Sequence, residues 1–151
     1  MTGEVSRFRR VMNRAALAVL LGTFAWLAFH WAQIPDVLPL RMNLSSPPTT
    51  GSKVRLLFLP PLLLLVFLIF TYSENIGVIN MPDLGSPERN QAAAREASAG
   101  LKFFCTALLA LVLLTMLATS SAAPPGVVGS FFAWVGGVGV GVWLVASLRR
   151  R

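Results

Sequence analysis

A single histidine, His30, and a single cysteine, Cys105, are the side chains best suited to chemistry here, and neither has the company that chemistry requires. An imidazole acting as acid, base or ligand needs a carboxylate, hydroxyl or further ligand at a defined spacing. No Ser-His-Asp set, helical His-Glu-x-x-His or phosphate-cradling glycine loop occurs in the chain. One cysteine excludes an intramolecular disulfide and a cysteine-only metal site. Cys105 sits inside a long apolar block, where a thiol behaves as a small hydrophobe. His30 stands beside Phe29 and Trp31, with Trp26 one turn earlier, where an imidazole reaches interfacial water. It is a weak candidate, and the expectation is a protein that is not an enzyme and uses no cofactor or metal.

The elements that would position any site are four apolar blocks, at about 15–32, 56–72, 103–119 and 127–148, none containing Lys, Arg, Asp or Glu. Each falls within the range of about 17–25 residues of a membrane-spanning helix, the shortest only just. The composition agrees: 55% hydrophobic and 13% charged, against about 25% charged in an ordinary soluble domain. The reading is an all-α, polytopic membrane protein, a single domain over 1–151 forming a four-transmembrane-helix bundle. The formal charge of +7 raises nucleic acid as a partner. Yet the cations flank apolar blocks instead of sharing a helix face with aromatics, so the lipid bilayer is the expected partner and nucleic acid is not.

The cations also orient the bundle. Arg7, Arg9, Arg10 and Arg14 precede the first block; Arg89, Arg95 and Lys102 lie in the second connection, 73–102; Arg149, Arg150 and Arg151 form the tail. With four spans these ten share one side, against three (Arg41, Lys53 and Arg55) on the other. The excess predicts both termini in the cytoplasm. A cleaved signal peptide is the rival reading of the first block. Phe24, Trp26, Phe29, His30 and Trp31 stand where small residues should be, and they read instead as an interfacial aromatic belt on a retained helix.

The outer loop, 33–55, is rich in turn formers, and its prolines deny it regular helix and argue against a stable lone hairpin. Its alternating stretch, Val37 to Met42, is able to rest apolar residues on the bundle rim, so a structured cap and a solvated loop are both open. Pro60 and Pro61 either start the second span or kink it. Ser86-Pro87-Glu88 is a helix start, with a hydroxyl cap, proline at the first position and an early acid. One long helix is expected from about residue 87 to 119. Pro124-Pro125-Gly126 closes a tight turn that makes spans three and four antiparallel neighbours.

Span four carries the clearest packing signal: Gly129, Ala133, Gly137 and Gly141 recur every four residues. Such a stripe lets two backbones approach closely in lipid. The expected contact is another span of the same chain, with assembly into an oligomer, or with a partner subunit, as the alternative.

The outer loop also carries a family resemblance. Ile34-Pro35-Asp36-Val37-Leu38-Pro39-Leu40-Arg41-Met42-Asn43, then Gly51-Ser52-Lys53 and a proline-bearing second span, resembles a prokaryotic four-helix membrane domain of unknown function. That domain also forms the N-terminal part of Sdp-type bacteriocin immunity proteins. Ile79-Asn80-Met81-Pro82 and Glu88-Arg89 are similar to its cytoplasmic connection. The family pattern has a histidine where this chain has Arg41, and the immunity proteins carry further spans. The resemblance implies a non-enzymatic recognition, immunity or signalling role, with a peptide or membrane-protein partner. Its candidate recognition residues are Pro35, Asp36, Pro39, Arg41, Asn43, Gly51, Lys53 and Arg55. The alternative is an accessory or transport subunit assembling through the stripe of span four.

Overall fold

The computed structural model describes residues 6–40, 49–77, 85–118 and 126–148. Four helices occupy the four apolar blocks: α1 (Arg7–His30), α2 (Leu59–Ile76), α3 (Pro87–Ala118) and α4 (Val127–Leu148). Three segments are long and apolar enough to cross a membrane, spanning Arg7–Gln33, Lys53–Ile76 and Pro87–Ala118. The backbone of α4 has 22 residues, about 33 Å of helix.

Local chemistry explains the boundaries. Ser6 caps α1, its Oγ accepting from Arg9 N at 3.2 Å, and Ser86 caps α3 the same way through Arg89 N at 3.3 Å. Pro60 and Pro61 fall in the first turn of α2, where a missing N–H costs nothing, so they start that helix and do not kink it. Gly77 ends α2 in the left-handed region at φ 69°, its N–H donating to Ser73 O at 2.8 Å. That conformation lets α2 run four residues past the apolar block, which ends at Tyr72.

The helices alternate in direction, but sequence neighbours are not always packing neighbours. α4 lies chiefly along α1, α1 also packs on α3, and α3 carries α2 on its other flank. The expected pairing of spans three and four is thereby corrected: α3 and α4 touch only lightly. The reason is the shape of the α1–α4 seam. An added Cβ at Gly22 would sit 2.7 Å from Val135 Cα, and one at Gly139 would sit 3.6 Å from Ala18 Cβ. Glycine at position 22 lets the α4 backbone come close to α1, while Gly139 has room for a methyl group; close backbone approach is how helices gain contact energy in an apolar solvent.

Between α1 and α2 the chain forms a small two-stranded antiparallel sheet, β1 (Val37–Leu40) with β2 (Thr49–Ser52). Val37 faces Ser52, Leu38 faces Gly51, Pro39 faces Thr50 and Leu40 faces Thr49. Proline does not keep these strands from pairing, and of the two forms open to the loop the structured cap is the one seen. A lone hairpin is marginal, but this one is seated on the bundle. Leu38 is buried, and with Ile34 and Leu56 it joins a core formed by Trp26, Leu113, Leu114, Leu117 and Phe131.

Candidate functional site

Two polar assemblies stand at opposite ends of the bundle. The first surrounds the hairpin. Asp36 and Lys53 form an ion pair at 2.7 Å, Lys53 Nζ also donates to Ile34 O at 3.3 Å, and the ammonium stands 5.5 Å from the Trp31 ring centroid. Backbone supports the same corner, with Lys53 N–H donating to Asp36 O at 2.9 Å. Asp36 is 86% exposed, so this pair contributes at most about 1 kcal/mol. Burial of Ile34, Leu38 and Leu56 holds the cap, and the ion pair orients its rim.

The loop residues of the sequence analysis separate on this frame. Pro35, Asp36, Gly51 and Lys53 meet at the hairpin base, and Pro39 lies within β1. Arg41 and Asn43 fall outside the described residues. Arg55 is exposed on the six-residue 3-10 segment Lys53–Phe58, about two turns, that leads into α2. Of the three outer cations, Lys53 is not free: it is bound to the chain's own carboxylate and carbonyl.

Below the cap, Trp26 is 1% exposed. It therefore belongs to the core and not to an interfacial belt. Its indole N–H donates to Ser130 Oγ at 3.0 Å, tying α1 to α4. His30 stacks on Trp26 with centroids 4.8 Å apart, and its Nδ1 is 3.0 Å from Trp26 O. That contact is local to one helical turn and brings no second catalytic group. Phe24, Leu27, Ala28, Trp31, Leu57 and Pro60 line an open apolar groove beside the cap.

The second assembly was not foreseen from the sequence, because it joins residues from three helices. Glu74, in the last turn of α2, and Lys102, in α3, are each only 4% exposed and pair at 2.6 Å through Oε2. Glu74 Oε1 takes the guanidinium of Arg9 and, at 2.8 Å, the side-chain amide of Asn13, both from α1. Lys102 also donates to Thr71 Oγ1 at 3.3 Å and stands 5.4 Å from the Phe67 ring centroid. Two cations and one anion thus lock α1, α2 and α3 together. Both carboxylate oxygens are engaged, which makes the cluster a clamp and not a seat for substrate. Among the described residues, Asn13 Oδ1 and Arg95 Nε are buried without a hydrogen-bond partner.

Reading 73–102 as a connection missed this because both ionic partners lie in its outermost residues, where the helices overrun their apolar blocks. A usable signal was present in the spacing. Phe67, Thr71 and Glu74 share one face of α2, and Ser98, Lys102 and Thr106 share one face of α3.

The glycine stripe needs the opposite correction. An added Cβ at Gly129, Gly137 or Gly141 would meet nothing within 4 Å, and Ala133 is exposed. Among the described residues the stripe does not pack against another helix of the same chain; the seam uses Phe131, Val135 and Gly139, on a neighbouring face.

Compared with known proteins, the chain matches no family model, no curated sequence and no solved structure. No group of three or more His, Cys, Asp or Glu able to hold a metal occurs among the described residues.

Proposed function

We propose that this chain is a multi-pass membrane protein of four spans with both termini in the cytoplasm. In this reading it is not an enzyme, and it recognises a peptide or membrane-protein partner through the hairpin cap at its outer end. The observation that supports membrane residence is the outward surface. Leu65, Leu68 and Ile69 of α2, Phe104, Leu108 and Leu111 of α3, and Phe132 and Val140 of α4 are all exposed. Soluble monomers rarely leave continuous apolar faces of this extent in water, whereas lipid makes them neutral. The arginine-bearing start of α1 and the hairpin cap then lie at opposite interfaces, in agreement with the excess of cations on the proposed inner side.

Recognition at the cap is supported by its construction. A pinned base, Asp36–Lys53, presents exposed Val37, Val54 and Phe58 beside the apolar groove. A rigid element loses less entropy on binding than a loose loop. The resemblance to immunity-protein membrane domains makes toxin recognition one instance of this role.

The test is a photo-crosslinking side chain at Val37 or Val54 in native membranes. A discrete adduct is expected, and Leu38→Asp, which unseats the cap, is expected to remove it. Absence of any adduct, with no phenotype on exchanging Pro35, Asp36, Pro39 and Asn43, refutes recognition at the cap.

A second reading has its own observation, the open stripe Gly129, Ala133, Gly137 and Gly141. An accessory or transport subunit would assemble through it. Monomer only in native mass spectrometry from lipid, unchanged by Gly137→Leu, would dispose of that reading.

A further inference from the structure

The four arginines at the start of α1 are divided between two faces. Arg9 turns toward α2 and is taken by Glu74. Arg7, Arg10 and Arg14, at i, i+3 and i+7, share another face and line a cavity of about 430 Å³ between α1 and α4. Apolar residues, Val11, Ala15, Ala18 and Gly139, complete its lining. Among the described residues, no ion pair joins any of these three arginines to a carboxylate: Glu74 is committed to Arg9 and Lys102, and Asp36 pairs with Lys53 beside the cap. Three guanidiniums that no carboxylate of the described residues pairs thus stand beside an apolar seam, in a cavity within the roughly 300–1,000 Å³ range of small-molecule sites.

We infer that this cavity binds the headgroup of an anionic phospholipid, its phosphate held by Arg7, Arg10 and Arg14. Rigid guanidinium forks suit phosphate oxygens. A lining that is cationic at one end and apolar at the other selects an amphiphile over a free anion. Basic pockets between membrane helices on the cytoplasmic side are suited to lipid headgroups by the same physics. The inference rests on the proposed membrane residence of the chain but is independent of what the hairpin cap recognises.

The experiment uses the full chain purified in zwitterionic micelles, titrated with short-chain phosphatidylglycerol, with retained lipid read by native mass spectrometry and by thermal shift. Phosphatidylglycerol is expected to bind and stabilise, phosphatidylcholine to do neither. The variant R7Q/R10Q/R14Q is expected to weaken binding by roughly tenfold or more. The variant R149Q/R150Q/R151Q, which removes the same formal charge from the tail, is expected to keep it. Equal losses in the two variants would reduce the effect to net charge and overturn the site. Full competition by inorganic phosphate would make it an anion site and overturn the lipid. Carbonate extraction of native membranes separates the two levels: a chain released as soluble protein refutes membrane residence, whereas a retained chain without phosphatidylglycerol preference refutes the lipid site alone.

Discussion

Replacing Glu74 by glutamine should be among the most damaging near-isosteric changes available in this chain. The substitution keeps the shape and removes the only anion in the cluster, leaving Arg9 and the buried Lys102 facing each other across Thr71 and Asn13. Breaking a buried pair from one side costs about 3–5 kcal/mol, because the surviving charge stays desolvated. At about 1.4 kcal/mol per power of ten, the folding equilibrium should fall by roughly two to three and a half powers of ten. Lys102→Met should cost less, since Glu74 keeps Arg9 and Asn13 while the new side chain rests against Phe67. The double variant E74Q/K102M should then be more stable than E74Q alone, with a coupling of about 1–3 kcal/mol. Reversible unfolding of the full chain in mixed micelles, titrated with dodecyl sulfate, gives these values. The readout is tryptophan fluorescence, with Trp26 buried at the core. E74Q within about 0.5 kcal/mol of the parent, or strictly additive substitutions, would refute the clamp.

Four further outcomes rest on the same geometry. Gly22→Leu should separate α1 from α4 and cost about 1–3 kcal/mol, because even a Cβ there overlaps Val135 backbone. Gly137→Leu, with open space around it, should leave monomer unfolding within about 0.5 kcal/mol. Leu38→Ala should loosen the hairpin by about 2–5 kcal/mol, read as faster proteolysis of the 33–55 segment, while Asp36→Lys should change stability by about 1 kcal/mol or less. Trp26→Ala should cost about 3–5 kcal/mol through the cavity it opens, and Trp26→Phe roughly 1 kcal/mol for the lost donation to Ser130, both measurable in the same unfolding assay.

The charge-free runs of the sequence were enough to locate four helices, since a long apolar stretch satisfies its backbone most simply as helix. The caps were equally local: Ser86 before Pro87 and the prolines opening α2 act within one turn, and spacing alone reveals them. Side-chain partnership was not local. Glu74 lies 65 positions from Arg9 and 28 from Lys102, and only the docking of α1 and α2 on α3 turns three ordinary flanking charges into a buried clamp. The hairpin shows the same limit, because Leu38 is buried in one core with Leu56 and the distant α3 residues Leu113 and Leu117.

The small-residue pattern of α4 marks the division most sharply. By itself the sequence determined that α4 has faces able to accept a close neighbour, because a small residue, glycine or alanine, at every fourth position lies on one side of a helix. Only the tertiary structure decided which face is used. Gly22 of α1 offered the gap that Val135 fills, so the seam turned to Val135 and Gly139 and left Gly129, Gly137 and Gly141 open. Periodicity specifies a surface within one helix; the partner's relief, set by residues more than a hundred positions away, selects among the surfaces so prepared.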